Sequence, residues 1–256
     1  MRIATFNANS IRSRLDIILK WINLNNPDIL AIQETKVQDS DFPLSAFSSS
    51  GYKIVFSGQK SYNGVAILSK IAPQDVVVKL EQDTSYQARF LKAKIGKIIV
   101  VNTYAPQGMD VNSDKFRYKL DWFNWLRLYF EKNHTPDQPI IWAGDLNVAL
   151  QDIDVYDPKG LWGHVCYCET VQKALLEVMS WGFVDIFRLK HPEPGHYTFW
   201  DYRVLNAFKR NLGWRLDYIM TTSSLADKCT DCWIDTLPRG WEKSSDHTFL
   251  VADFDI

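Results

Sequence analysis

Three things are missing from this sequence. No apolar run is long enough to span a membrane, and Met1-Arg2-Ile3-Ala4-Thr5-Phe6 enters a strand-like pattern with no apolar signal region before it. The expectation is a cytoplasmic protein with no membrane partner. Neither charge is in excess: 29 Lys and Arg stand against 30 Asp and Glu, for a net charge of -1. No global positive field therefore draws in a polyanion, and such a partner has to be gripped by local Lys/Arg clusters and metal ions. Cysteine is scarce, at four residues. Cys166-x-Cys168 precedes a helical pattern and Cys229-x-x-Cys232 flanks a strand-like one; neither has the paired spacing of common zinc sites, so all four read as reduced thiols.

Low-complexity stretches and Pro/Ser-rich linkers are absent too. With 46% hydrophobic residues, the 256-residue chain can bury a large core, and it reads as a single domain over residues 1–256, with a monomer as the simplest state.

Ile3 to Phe6 reads as a strand and Asn7-Ala8-Asn9-Ser10 as a polar loop in which Ser10 is a helix N-cap. Leu15, Ile18, Leu19 and Ile22 recur at helical spacing until Asn25-Asn26-Pro27 ends the helix, and a second strand runs from Ile29 to Gln33. If those strands are neighbours, Asn7 and Glu34 meet at one sheet edge. From Gly51 to Thr103, strand-like runs at Tyr52 to Phe56, Val65 to Leu68, Val76 to Leu80, Arg89 to Ile95 and Lys97 to Thr103 predict an antiparallel sheet, with a tight hairpin at Gly96-Lys97. Helices are expected over Lys115 to Lys132 and over Glu169 to Trp181, the second stopped by Gly182. Further strands are expected at Ile140 to Gly144, Val184 to Phe187, Leu216 to Met220 and Phe249 to Phe254. The recurring layout suits an α/β sandwich, two sheets face to face with helices outside, whose central strand ends share one crevice.

Acidic residues collect at those strand ends. Glu34 closes the second strand, Asp145 and Asn147 follow Ile140 to Gly144, Asp217 opens Leu216 to Met220, and Asp246-His247 precedes Phe249. Carboxylates at the ends of several hydrophobic strands are costly unless they bind a metal or do chemistry. An Asp bonded to a His fixes its tautomer and suits it to steady an oxyanion or move a proton. Tyr104, in a turn, can donate to a ligand, although a half-buried structural Tyr is the commoner finding. Phe199, Trp200, Trp214 and Leu216 form an apolar set near Asp217 for which a core cluster is the ordinary reading.

Thr5-Phe6-Asn7, Gln33-Glu34-Thr35-Lys36, Asn102-Thr103-Tyr104-Ala105-Pro106, Gly144-Asp145-Leu146-Asn147, Trp214-Arg215-Leu216-Asp217 and Ser245-Asp246-His247 occur in one order over nearly the whole chain. Together they resemble the exonuclease III family of abasic-site endonucleases, within the endonuclease/exonuclease/phosphatase superfamily. The resemblance implies a four-layered, deoxyribonuclease I-like α/β sandwich and a repair endonuclease that cuts duplex DNA 5′ to abasic sites, with 3′-5′ exonuclease and 3′-phosphatase side activities. It further implies that Glu34, with Asn7 and Asp246 nearby, holds Mg²⁺ or Mn²⁺. Tyr104, Asn147 and His247 would hold the scissile phosphate, Asp217 would pair with His247, and Asp145 would position or deprotonate the attacking water. Phe199, Trp214 and Leu216 would line the pocket for a flipped, base-less sugar, and Lys36 and Gln107 would support the phosphate backbone. Candidates for gripping DNA are Lys36, Lys115, Arg117, Arg203, Lys209, Arg210, Arg215 and Lys243. Two other readings compete: the same chemistry on a phosphoinositide or other small phosphoester, and a catalytically dead DNA-binding protein.

Overall fold

Side-chain alternation along four central strands decides the architecture. In the computed structural model, which describes residues 1–256, the chain forms strands β1 (Arg2–Asn7), β2 (Ile29–Gln33), β3 (Lys53–Ser57), β4 (Val65–Ser69), β5 (Gln74–Val77), β6 (Phe90–Ile95), β7 (Ile98–Tyr104), β8 (Ile140–Asp145), β9 (Phe183–Asp185), β10 (Asp217–Thr222), β11 (Cys229–Asp235) and β12 (Phe249–Phe254). The helices are α1 (Leu15–Asn25), α2 (Asp114–Asn133), α3 (Pro158–Leu161), α4 (Glu169–Met179), α5 (Ile186–Lys190) and α6 (Ser223–Ala226). One sheet runs β11-β12-β1-β2-β4-β3 and the other β5-β6-β7-β8-β10-β9. Each holds a single parallel pair near its centre, β1 with β2 and β7 with β8, among antiparallel neighbours.

On β1, Ile3 points into a core between the sheets shared with Ile29, Ala93, Val100, Ile141 and Ile219. Ala4 and Phe6 point the other way and pack on Ile18, Trp21 and Ile22 of α1. On the second sheet, Trp142, Tyr218 and Met220 pack outward against Phe123, Phe130 and Leu175 of α2 and α4. Helix, sheet, sheet, helix is the result, the sandwich expected from the sequence. Period-2 alternation then carries Asn7, Asp145 and Asp217 to the inter-sheet face at the end of their strands, because Ile3, Ile141 and Ile219 already lie there.

Several local expectations need correction. The run from Gly51 to Thr103 is not one antiparallel sheet: β4 returns to pair with β2, while β5, β6 and β7 build the opposite sheet. Its third run, read as Val76 to Leu80, is a strand only over Gln74–Val77. Ser10 is not an N-cap. The Ser10 and Ile11 N–H groups donate to the carbonyls of Glu34 and Thr35, which holds the loop across the end of β2 and delays α1 to Leu15. Val184 to Phe187 does not continue as a strand, because the Asp185 carboxylate accepts the Arg188 N–H and starts α5 at Ile186. The Gly96-Lys97 hairpin forms as read, with Ile95 opposite Ile98. All four cysteines are free thiols. No helix is long and apolar enough to cross a membrane.

Candidate active site

Both parallel pairs end at the same edge of the sandwich, so Asn7, Glu34, Tyr104 and Asp145 emerge together. The antiparallel neighbours bring their beginnings to that edge: Asp217 lies opposite Asp145, and β12 enters beside β1 just after His247. Gly144 is required next to Asp145. It sits at φ 145°, and a Cβ there would lie 2.0 Å from the Thr103 carbonyl of β7.

Asn7 ties the sheets together. Its amide donates to Glu34 Oε1 at 2.8 Å on its own sheet and to Asp145 Oδ2 at 2.8 Å on the other. Its oxygen accepts the Asn9 N–H. Lys36 reaches Glu34 Oε2 at 2.7 Å and the Asn9 carboxamide oxygen, and the Asn9 amide continues to Asp246 Oδ1 at 3.0 Å. Glu34, Lys36 and Asn147 all have left-handed backbone, with φ of 49°, 55° and 51°. Such conformations cost free energy and gather where geometry serves function.

Behind this edge, His247 Nδ1 lies 2.7 Å from Asp217 Oδ2 and its Nε2 lies 3.7 Å from Asp145 Oδ2, all three side chains being buried. Asp217 is fixed from the other side, where Thr198 Oγ1 accepts the N–H groups of Leu216 and Asp217. Burial and the charges of Asp217 and Glu34 push the Asp145 carboxyl up to about 7, despite the opposing pull of His247 and the Asn7 hydrogen bond. Burial disfavours the His247 imidazolium, but Asp217 and Asp145 outweigh it and raise the ring to about 10. Burial, with Glu34 and Asp145 nearby, lifts the Tyr104 phenol well above its usual value, so it remains a donor. Burial would also raise Glu34, yet the Lys36 ammonium holds it below the ordinary carboxylate range.

These groups open onto a cavity of about 330 Å³ lined by Glu34, Tyr104, Gln107, Asp145, Asn147, His164, Cys166, Phe199, Asp201, Arg203, Trp214, Leu216, Asp246 and His247. Every residue named as metal-binding, catalytic or pocket-forming lies on this wall except Asn7 and Asp217, which stand directly behind it. A larger cavity, about 570 Å³, lies at the opposite end of the sandwich around Met1, Ile71 and Leu225 and contains none of them.

Of the expected DNA contacts, Arg203 and Gln107 reach the cavity, Lys36 is held at Glu34, and Lys209 and Arg210 are exposed on the loop that carries Arg203. Arg203 is paired with Asp201 but is 89% exposed, which leaves it free to swing. Lys115, Arg117 and Lys243 are also exposed. Arg215 is a correction: it is fully buried, with Nε 2.7 Å from Asp154 and Nη2 2.8 Å from Asp185, and cannot touch a ligand. Arg188 joins the same pair at Asp154. Alternation places Arg215 on the face opposite Trp214 and Leu216, where it anchors the loop that carries them.

Sequence reasoning missed Asn9, His164, Thr198 and Lys119. Lys119 could have been found: Phe116, Lys119, Trp122, Phe123 and Leu126 share one helical stripe, which puts a lysine inside.

The residues present fit a hard divalent cation. The donor atoms at the edge are carboxylate oxygens of Glu34 and Asp246, with the Asn7 carboxamide beside them, and the Lys36 ammonium already sits against Glu34 Oε2 as a cation would. Asp145, Asp217 and His247 also have ligand atoms within 4.8 Å of one another. The ring's Nδ1 is committed to Asp217, so within that group His247 has only Nε2 left to offer.

The sequence model described as the Endonuclease/Exonuclease/phosphatase family matches residues 4–247. Exodeoxyribonuclease III of Haemophilus influenzae is 31% identical over 99% of this chain and 100% of its own length. Among solved structures, an AP endonuclease from Archaeoglobus fulgidus is 48% identical with a TM-score of 0.98, and the match covers both chains completely. A 3′ phosphatase, NExo, from Neisseria, bound to a product DNA hairpin, is 35% identical with a TM-score of 0.95, again over both whole chains.

Proposed function

The chain belongs to the endonuclease/exonuclease/phosphatase family and is a DNA repair nuclease of the exonuclease III kind, and from that premise we propose that it hydrolyses the phosphodiester 5′ to abasic sites in duplex DNA. The carrying observation is the adjacency of two unlike surfaces in one cavity. A relay of Asp217, His247 and Asp145 faces an apolar wall of Phe199, Trp214 and Leu216. We read the whole chain, 1–256, as one catalytic unit acting as a monomer in the cytoplasm.

Asp145 takes a proton from the attacking water, because a carboxyl raised to about 7 is partly ionised at neutral pH and strong enough as a base to use it. His247, held as imidazolium by Asp217, donates to a phosphate oxygen on which charge builds, with Tyr104 and the Asn147 amide as further donors. Glu34, Asp246 and Asn7 would hold a divalent ion, Mg²⁺ or Mn²⁺, which when bound supplies Lewis-acid neutralisation of the phosphate. Phe199, Trp214 and Leu216 receive the sugar. A nucleotide without a base loses little stacking when it leaves the helix, whereas an intact one costs a few kcal/mol to unstack and then meets the wall. Arg203, Lys209, Arg210 and Gln107 steady the backbone, with Lys36 acting through Glu34.

The likeness to the Neisseria 3′ phosphatase and 3′-5′ exonuclease favours 3′-end processing as a second activity of the same centre. The test is a labelled duplex carrying one abasic-site analogue, incubated with the protein in Mg²⁺ and in EDTA beside Glu34→Gln. A metal-dependent nick 5′ to the lesion that disappears in the variant supports the proposal. No nick by folded protein, with release of phosphate from a 3′-phosphorylated end, would assign the centre to end processing instead.

A further inference from the structure

Outside the cleft, three potential metal ligands converge on one surface loop. His191 Nδ1 lies 3.2 Å from Glu193 Oε1, and His196 Nε2 lies 2.9 Å from the same oxygen. All three ligand atoms lie within 4.8 Å of one another. Neither the cleft nor its chemistry uses these residues.

Hydrogen bonding fixes what His191 presents. Its Nε2 is 2.7 Å from the Cys232 carbonyl oxygen of β11, and a carbonyl only accepts, so Nε2 carries a proton. In the neutral ring, Nδ1 therefore holds a lone pair aimed at a carboxylate. Two acceptors at 3.2 Å repel unless a cation lies between them. His196 meets the same oxygen, so satisfying Glu193 with protons alone requires a hydrogen from each ring, and on His191 that means imidazolium. One metal ion satisfies all three groups at once. The two spacings to Glu193 agree: with bonds of about 2.0–2.1 Å, neighbouring ligand atoms on an octahedral or tetrahedral ion lie about 2.8–3.4 Å apart.

The scaffold is already stiff. Pro192 and Pro194 fix φ on either side of Glu193. Arg188 Nη1 donates to the carbonyls of His191 at 2.9 Å and Glu193 at 2.8 Å, and Phe187 stacks on the His191 ring with centroids 4.7 Å apart. The ligand side chains are 30%, 52% and 40% exposed, so an ion can enter from solvent and complete its shell with water.

We propose that His191, Glu193 and His196 form a second metal site, for a borderline divalent ion of the Zn²⁺ class, separate from the oxygen-lined cleft. Two imidazoles and one carboxylate suit Zn²⁺, Co²⁺ or Ni²⁺, whereas Mg²⁺ prefers oxygen ligands and water. The ion ties the end of α5 to the segment that runs directly into Thr198, whose hydroxyl holds the backbone of Leu216 and Asp217. The site is a structural clip at the root of the cleft wall.

The test uses full-length Glu34→Gln protein, stripped with chelator and kept in excess Mg²⁺, titrated with Zn²⁺ by calorimetry and with Co²⁺ by visible absorption. One Zn²⁺ per chain is expected, together with a raised thermal midpoint. Adding Glu193→Gln and His196→Gln is expected to weaken binding more than about 100-fold, beyond what loss of an outer-shell partner does, and to remove the thermal shift. Glu34→Gln with Glu193→Gln alone, its metal-free melting matched to the parent, controls for misfolding. Unchanged affinity and stoichiometry in these variants would overturn the proposal. So would binding by the parent only at millimolar Zn²⁺, which would leave the rings as protonated partners of Glu193.

Discussion

The ammonium of Lys119, wholly buried, lies 2.7 Å from the carbonyl oxygen of Asn147. The same Nζ donates to the carbonyls of Val165 at 2.8 Å and Gln107 at 3.1 Å, so one lysine gathers three loops that line the cleft. Burial lowers its pKa, against the nearby Cys166 and Asp145. Lys119→Met keeps the stem but leaves those carbonyls without a donor. A loss of about 3 kcal/mol is expected, read as a lower thermal midpoint, together with a drop in kcat as Asn147 loses its backbone support. A variant as stable and active as the parent would show that the lysine only fills space.

In the proposed mechanism Asp217 positions the ring that faces the phosphate. Asp217→Asn conserves shape, but its amide can turn N–H toward His247 Nδ1 and favour the wrong tautomer. Cutting is expected to fall about 100-fold or more while binding of an abasic duplex stays within a few-fold, measured by single-turnover kinetics and fluorescence anisotropy. Loss of binding in proportion to cutting would make Asp217 structural.

In the proposed mechanism the pH profile follows from two upward shifts, one on the base and one on the acid. Asp145 has to be ionised to accept a proton, and it is raised to about 7, so kcat is expected to climb as pH rises through about 7. His247 has to be protonated to donate, and it is raised to about 10, so the profile declines only as pH approaches that value. Added divalent ion offsets the Glu34 charge that helps raise Asp145, and should move the rising limb to lower pH. Asp145→Asn is expected to abolish that limb along with most of the rate.

The sequence made legible whatever depends on period and order. Asn7 and Glu34 meet because β1 and β2 are parallel neighbours, which a strand-helix-strand unit dictates. Asp217 meets His247 as the family resemblance implied. What stayed hidden depends on pairing between distant segments. Nothing local shows that β4 turns back to β2 while β5 and the β6–β7 hairpin go to the opposite sheet, or that Ser10 surrenders its cap to the carbonyls at the end of β2. Arg215 looked like a surface cation because its partners, Asp154 and Asp185, are 61 and 30 positions away by subtraction of residue numbers.

The cleft wall should set selectivity more than speed. Phe199 packs beside the His247 ring at 4.9 Å between centroids, Trp214 lies 5.0 Å from His164, and the two are paired neighbours, so they form one continuous aromatic wall from His247 to His164. Trp214→Ala opens that space. An intact flipped nucleotide then meets less resistance, while an abasic sugar loses only part of its apolar contact. The ratio of kcat/KM for abasic over undamaged duplex is expected to fall by roughly 10-fold or more, a few kcal/mol of discrimination at most, with the abasic rate reduced less than the ratio. Trp214→Phe, which keeps most of the bulk, should restore the greater part of it. If both variants keep the parental ratio while cutting more slowly, the wall orients the phosphate and selection is made where the duplex is bent, by the loop carrying Arg203, Lys209 and Arg210.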